Sequence, residues 1–105
     1  MALNSKSDLL IEVTFKDTDG NIIPVPEYDF ELEYYVYTNR RIKAGKTGTT
    51  FFNCTPTADD KLAVVFDNPN LGSGTLYCER TYFIPDDRFP DGIFKLTLEP
   101  EIIPV

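Results

Sequence analysis

Side chains that commonly carry catalysis are scarce in this sequence. It contains no histidine, so the commonest general base, the commonest metal ligand and every nucleophile pair that depends on imidazole are absent. The two cysteines, Cys54 and Cys78, have no activating partner that the sequence reveals. We therefore predict no catalytic residue, no cofactor and no bound metal.

Acidic residues are the remaining candidates for chemistry, and they lie in turn-like sequence. Residues 59–60 and 86–87 are Asp-Asp pairs in proline-rich loops, where a solvated turn is the more common role of such residues. The segment DTDGN, residues 17–21, begins like a calcium-binding loop but lacks the third ligand and the bidentate glutamate of the full pattern. We expect a hairpin turn there, with Gly20 at positive φ.

Cys54 and Cys78 belong to different predicted strands, so a disulfide between them depends on how those strands pack. It would need Cβ atoms about 4 Å apart and an oxidising compartment. We expect two reduced, half-buried thiols, with a disulfide as the alternative.

Composition and charge describe a small acidic domain. The chain has 105 residues, a common size for one domain, and can bury about two thirds of its unfolded surface. Its 10 basic and 17 acidic residues give a net charge of -7, which repels the phosphates of nucleic acids and anionic lipids. No apolar run has membrane-spanning length, and the opening MALNSKSDLL does not resemble a signal peptide. We therefore expect synthesis in the cytoplasm and neither nucleic acid nor membrane as a partner.

The dominant pattern is alternation of apolar and polar residues, which is typical of β-strands. It is clearest in EYDFELEYYVY, residues 27–37. One face of this strand is apolar, and the other is acidic until Tyr35 and Tyr37 make it aromatic. The apolar face consists of Tyr28, Phe30, Leu32, Tyr34 and Val36.

Further strands are predicted at LLIEVTF, TTFFNC, KLAVVF, TLYCERTYFI and IFKLTL. Turn-rich segments separate them, including KDTDGN, TPTADD and DNPNLGSG. Strands without a helix predict an all-β fold, an immunoglobulin-like antiparallel β-sandwich of about six to eight short strands. We expect a single domain over residues 1–105, with a flexible N-terminus at 1–7 and a C-terminal tail at 99–105 that is a candidate partner contact.

The segment IPDDRFPDG, residues 84–92, is interpreted as a tight corner between two strands. Pro85 lacks the donor that a strand ladder needs, and Pro90-Asp91-Gly92 is strong turn sequence. Phe89 is the one apolar residue between these two breaks. We therefore expect its ring to pack under the loop.

A basic loop and an acidic strand face are neighbours in the sequence. Arg40, Arg41 and Lys43 lie in NRRIKAGKTG, directly after the acidic strand 27–37. Complementary charges of this kind favour packing between copies of the chain, with the basic loop of one copy against the acidic face of the next. A solvated loop is the alternative.

Aromatic and apolar residues supply a second set of contact candidates. Tyr35 and Tyr37 lie opposite the core face of their strand, and tyrosine anchors interfaces at low entropic cost. A second sheet or a loop that covers these rings is the alternative. The tail residues Ile102 and Ile103 could add as a strand to a neighbouring molecule. The hypothetical protein interface consists of Tyr35, Tyr37, Arg40, Arg41, Lys43, Phe89, Ile102 and Ile103.

Two long segments together resemble small virion modules of tailed bacteriophages of Bacteroides-type hosts, such as head-fibre and baseplate upper-protein N-terminal domains. They are DLLIEVTFKDTDGNIIPVPEYDFELEYYVYT and LGSGTLYCERTYFIPDDRFPDGIFKLTLEP. The pattern is a strand, a D-G-N turn and a DFEL strand, followed later by a strand that ends in a Pro-Asp turn and PDG. The resemblance covers most of the chain and consists of strand and turn signatures.

This resemblance implies a β-sandwich that docks a fibre or baseplate component onto the phage particle and is not an enzyme. It also implies a homo-oligomer, with a trimer favoured, that is assembled in the host bacterial cytoplasm and located in the virion. The chain ends at EIIPV without a fibre shaft or receptor-binding domain, which favours a stand-alone decoration or adaptor protein.

Two other functions compete with this interpretation. A bacterial cell-surface or carbohydrate-binding β-module would use exposed tyrosines as stacking platforms, although the chain has no tryptophan and no recognisable export signal. A small hydrolase would use the acidic loops.

Overall fold

The computed structural model of the chain describes residues 8–37, 41–67 and 69–104. The expected flexible N-terminus, residues 1–7, lies outside the described residues. Within the described ranges the chain forms eleven β-strands and no helix, and so no helix there could cross a membrane. The strands are β1 Leu9–Val13, β2 Phe15–Lys16, β3 Ile22–Ile23, β4 Asp29–Tyr35, β5 Ile42–Thr47, β6 Thr50–Phe52, β7 Cys54–Ala58, β8 Lys61–Phe66, β9 Leu76–Pro85, β10 Ile93–Thr97 and β11 Glu101–Ile103.

The strands form two main antiparallel sheets and a small hairpin. The large sheet has the order β10-β9-β4-β5-β6, and β11 pairs with β9 along the same edge as β10. The small sheet has the order β1-β8-β7, and β2 pairs with β3 in the hairpin. The predicted all-β antiparallel sandwich is confirmed.

The core lies between the two sheets because their inner faces are apolar at alternate positions. On β1 the inner residues are Leu9, Ile11 and Val13, and on β4 they include Phe30 and Leu32, both fully buried. Each fully buried side chain of this size contributes about 1.5–3 kcal/mol relative to an exposed one. The predicted apolar face of β4 is therefore confirmed at these positions.

The structure has more strands than the expected six to eight, because several of them are short strands of only two or three residues. One of the extra strands is β7, which includes part of the TPTADD segment that was expected to be a connector. Pro56 is tolerated in β7 because this strand is at the edge of its sheet and carries a bulge between Pro56 and Ala58.

The DTDGN segment forms the predicted hairpin turn between β2 and β3. The Asp17 carboxylate accepts hydrogen bonds from the backbone N–H groups of Asp19 at 3.0 Å and Asn21 at 2.9 Å. Gly20 has a φ of 85°, as the turn requires. The carboxylate that suggested a calcium loop therefore stabilises the turn itself.

Arg80 connects the C-terminal tail to the rest of the sandwich. Its Nε donates to Glu101 Oε1 at 2.8 Å and its Nη1 donates to the Thr14 carbonyl oxygen at 3.0 Å. The tail strand β11 pairs with β9 of its own chain. The tail thus extends the chain's own sheet, whereas the sequence had suggested that it could add as a strand to a neighbour.

Both cysteines are free and buried, with exposures of 8 % for Cys54 and 1 % for Cys78. The expected reduced thiols are confirmed, and they are more deeply buried than expected. Burial raises the pKa of the Cys78 thiol to about 11. Burial also raises the pKa of Cys54, whose thiol donates to the Gly45 carbonyl oxygen at 3.2 Å.

The buried Cys78 thiol should make the fold sensitive to alkaline pH. The thiol has an ordinary pKa of 9.0 when unfolded, but it keeps its proton to about pH 11 when folded. The associated stability is present below about pH 9 and should decrease by roughly 2 kcal/mol as the pH rises towards 11. Urea unfolding over this pH range measures the loss, and Cys78→Ala should reduce it. An equal loss in Cys78→Ala would assign the effect to other groups.

The Tyr34 hydroxyl is buried without a hydrogen-bond partner of ordinary geometry among the described residues. A buried donor without a partner costs about 1–3 kcal/mol, so Tyr34→Phe should leave the unfolding free energy unchanged or raise it by about 1 kcal/mol. The aromatic contact with Phe66, at 5.7 Å between ring centroids, survives this change. Urea unfolding checks the prediction, and Tyr82→Phe is the control because its hydroxyl accepts from Arg80 at 3.4 Å. A clear loss of stability in Tyr34→Phe would contradict it.

Candidate functional site

The outer face of the large sheet carries a row of aromatic and apolar side chains at one end. Tyr35 of β4 pairs directly with Tyr77 of β9, and Tyr77 pairs with Ile102 of β11. Directly paired residues of antiparallel strands project from the same face. Three side chains from three different strands are therefore neighbours on one surface.

The rings of this row are in contact with one another. Tyr35 and Tyr77 are stacked with their centroids 5.6 Å apart and an angle of 21° between their planes. Tyr37 meets Tyr77 edge to face at 6.5 Å, and the Arg41 guanidinium lies 4.0 Å above the Tyr35 ring. We call Tyr35, Tyr37, Tyr77, Arg41 and Ile102 the tyrosine surface.

Tyr37 is the most unusual residue of the tyrosine surface. Its φ is 53°, a left-handed conformation that is an outlier for a bulky residue, and its side chain is 64 % exposed. Gly74 lies against it, since a Cβ there would be 3.3 Å from the Tyr37 ring and 3.1 Å from Val36 Cγ1. The fold therefore holds a large ring in solvent at the expense of backbone strain, which is a mark of functional positions.

The charges beside the tyrosine surface pair within the chain. Arg41 Nη1 donates to Glu33 Oε1 at 3.0 Å, and Lys43 Nζ lies 3.5 Å from Glu31 Oε2. The hydrogen bond from Arg41 to Glu33 raises the pKa of Arg41. The acidic face and the basic residues that were expected to attract a second copy thus satisfy each other, as exposed pairs of small energetic value.

Two predicted contact residues are covered by their own chain. Tyr35 is only 8 % exposed because Tyr77 and Arg41 lie on either side of its ring. Ile103 pairs with Leu76 on the opposite face and packs against the core. Tyr35 therefore has little surface to offer a partner, and Ile103 is partly buried against the core. The contact role of both residues stays a prediction. Arg40 lies outside the described residues.

Phe89 lies far from the tyrosine surface, at the tip of the β9–β10 hairpin. The loop closes tightly, with backbone hydrogen bonds from Asp86 to Gly92 and from Gly92 to Phe89, each 2.9 Å long. The ring stacks on Phe94 at 5.4 Å, and the two side chains are 40 % and 37 % exposed. The expectation that Phe89 packs under its loop is therefore wrong, because a loop this tight leaves the ring outside.

The acidic loop at residues 86–88 is organised by an ion pair. Asp86 Oδ2 lies 2.7 Å from Arg88 Nη2, and this ion pair lowers the pKa of Asp86. A general acid needs the opposite shift at neutral pH. Across residues 8–37, 41–67 and 69–104 no group of three or more acidic or cysteine side chains is close enough to hold a metal ion.

The neighbours of Tyr77 and Phe94 could not be predicted from the sequence. Tyr77 joins Tyr35 to Tyr37, yet alternation in TLYCERTYFI only shows that it lies opposite Leu76. Its partners depend on the pairing of β9 with β4, which no local pattern specifies. Phe94, the stacking partner of Phe89, was predicted as a strand residue only.

Comparison with models of protein families, with curated proteins and with solved structures gave no match. A functional assignment therefore depends on the geometry of the surface and on the strand and turn pattern of the sequence.

Tyr77→Ala should disrupt the tyrosine surface, since Tyr77 contacts both Tyr35 and Tyr37. Aromatic pairs contribute about 0.5–1.5 kcal/mol each beyond area burial, so we expect a loss of about 1–3 kcal/mol. Tyr37→Ala is the matched control and should change the unfolding free energy by less than about 1 kcal/mol, because an exposed ring contributes little. Urea unfolding measures the stability of both variants, and the tyrosine signal in near-ultraviolet circular dichroism reports on the packing of their remaining rings. Equal effects of the two substitutions would contradict the central position of Tyr77.

Proposed function

We propose that the protein is a non-enzymatic structural protein of a tailed-bacteriophage particle. It docks or decorates a head-fibre or tail component through protein contacts on the tyrosine surface. The bacteriophage assignment is supported by the resemblance of the strand and turn pattern, and the contact role is supported by the surface itself.

The observation that carries the contact role is the conformation of Tyr37. The ring stays 64 % exposed although its backbone has a φ of 53°. The contacts of the ring with Tyr77 and Gly74 restrict its rotamers, so it loses little side-chain entropy when a partner covers it. Tyr77 and Arg41 beside it are residue types enriched at the centres of interfaces.

Ile102 extends this contact area with an aliphatic side chain. It is 65 % exposed and pairs with Tyr77 across β9 and β11. Because both strands are hydrogen-bonded into the sheet, the patch is rigid, as docking surfaces of assembled particles need to be. A homo-oligomer of the chain, with a trimer favoured, would present several copies of this patch.

A contact role also agrees with the chemistry of the nucleophiles and acids. Burial raises the pKa of both thiols, so neither is a thiolate at neutral pH. Asp86 is held in an ion pair with Arg88. These groups serve the fold, and the exposed side chains are those suited to binding.

The proposal is tested in purified particles of a phage whose genome encodes this chain. Mass spectrometry should find the chain in stoichiometric amount. The double variant Tyr37→Ala with Ile102→Ser should stay folded but be incorporated about tenfold less, as expected when exposed anchors are removed. The matched control is Leu10→Ser with Val65→Ser, an exposed apolar pair on the small sheet, which should be incorporated normally.

Two results would contradict the proposal. Absence of the chain from particles would remove the structural role. Normal incorporation of the Tyr37→Ala, Ile102→Ser variant would remove the tyrosine surface as the docking site.

A carbohydrate-binding module is the second candidate, and the exposed Tyr37 ring favours it as a stacking platform. Tyr35 is unsuitable because Tyr77 and Arg41 cover its ring. A glycan array separates the two functions. Sugar binding that disappears in Tyr37→Ala would favour the carbohydrate-binding module.

A further inference from the structure

In the part of the chain that the structure describes, the two main sheets have five edge strands, which differ in how well they are protected. They are β10, β11 and β6 in the large sheet and β1 and β7 in the small sheet. β7 carries Pro56 and a bulge, and β6 has only three residues; both features discourage pairing with another chain. β1 and β10 each have five residues without proline or a bulge, and of these two only β10 contributes to an apolar groove.

The hydrogen bonds of the β9–β10 hairpin show which backbone groups of β10 point away from β9. The N–H of Asp86 donates to the Gly92 carbonyl, and the N–H of Leu98 donates to the Arg80 carbonyl. In an antiparallel ladder such bonded pairs recur at every second residue. The backbone N–H and C=O groups of Phe94 and Leu96 therefore also point towards β9. The backbone groups of Ile93, Lys95 and Thr97 therefore point away from β9. The Ile93 N–H donates to Asp91 Oδ1 at 3.1 Å, so Lys95 and Thr97 offer their outward backbone groups to another strand.

The apolar groove lies beside β10 on the inner side of the sheet. Its volume is about 430 Å³. Leu96 contributes from β10 and pairs with Tyr82, which packs against the core. The apolar lining of the groove includes Phe15, Ile23, Tyr28, Ile84, Leu96 and Leu98. A strand added to β10 would direct alternate side chains into this groove.

We propose that β10 accepts an extended strand of a partner protein, with apolar side chains in the groove and a carboxylate opposite Lys95. This inference goes beyond the proposed function, because the β10 edge is a second contact region, separate from the tyrosine surface. Lys95 is the one charged residue of β10, and its ammonium lies 6.0 Å from the Phe83 ring. An opposite charge directly across an antiparallel pair stabilises it.

A second copy of the chain fits this edge poorly. Full antiparallel overlap of two β10 strands places Lys95 directly opposite Lys95 of the copy, and like charges in that position destabilise pairing. Lysine on an edge strand is a common means of preventing self-association. The edge therefore favours a different polypeptide that carries an acidic residue at the matching position.

The test uses the full chain and the peptide acetyl-Thr-Ile-Glu-Ile-Thr-amide as the probe. In antiparallel pairing its glutamate faces Lys95 and its isoleucines face the groove. NMR titration of the labelled chain should show shifts at Ile93, Lys95 and Thr97. A peptide with lysine in place of glutamate should bind about five- to tenfold more weakly.

Two variants make the test specific. Lys95→Pro should abolish binding and keep the β9–β10 ladder, because only an outward N–H is lost and proline is tolerated at such edges. Lys95→Glu should reverse the preference between the two peptides, so that the lysine peptide binds more tightly than the glutamate peptide. Lys61→Glu, an equal charge change on β8 of the small sheet, should behave like the unchanged chain.

Three results would overturn the inference. They are no binding at millimolar peptide, shifts that map to the tyrosine surface, or the same peptide preference in Lys95→Glu as in the unchanged chain. The charge reversal decides the outcome even if Lys95→Pro does not fold. Incorporation into particles is measured separately, so failure here is distinguishable from failure of the proposed function.

Discussion

The pairing of β4 with β9 is the interaction on which the rest of the structure depends. It joins seven residues of each strand, from Asp29 opposite Phe83 to Tyr35 opposite Tyr77. Because side chains alternate along both strands, one register builds two surfaces at once. The inner surface closes the core with residues such as Tyr34 and Cys78, and the outer surface brings the tyrosines together.

β9 also connects the two candidate contact regions of the molecule. Its first residues pair with β11 and support the tyrosine surface, while its last residues pair with β10 and form the hairpin. Arg80 lies between these halves and holds Glu101 of the tail and the Thr14 carbonyl. β9 therefore links the tyrosine surface to the β10 edge within one sheet.

The local features of the fold could be predicted from the sequence, and the long-range ones could not. Alternation in LLIEVTF and DFELEYY correctly assigned the core faces, because burial of one face is a local pattern. The DTDGN turn followed from residue type. Strand pairing depends on the whole chain, so neither the place of Tyr77 nor the pairing of the tail was predictable. Tyr35 appeared exposed because the sequence does not show that Arg41 lies over its ring.

The register of β4 against β9 is tested most directly by a disulfide trap on the outer face. Glu31 and Thr81 are directly paired, so the double variant Glu31→Cys with Thr81→Cys should form an intramolecular disulfide under mild oxidation and remain folded. The native thiols are buried and do not compete. We expect no such bond for Glu31→Cys with Phe83→Cys, because these residues are not directly paired. Efficient crosslinking of that mismatched pair, without crosslinking of the matched one, would contradict the register and with it the tyrosine surface.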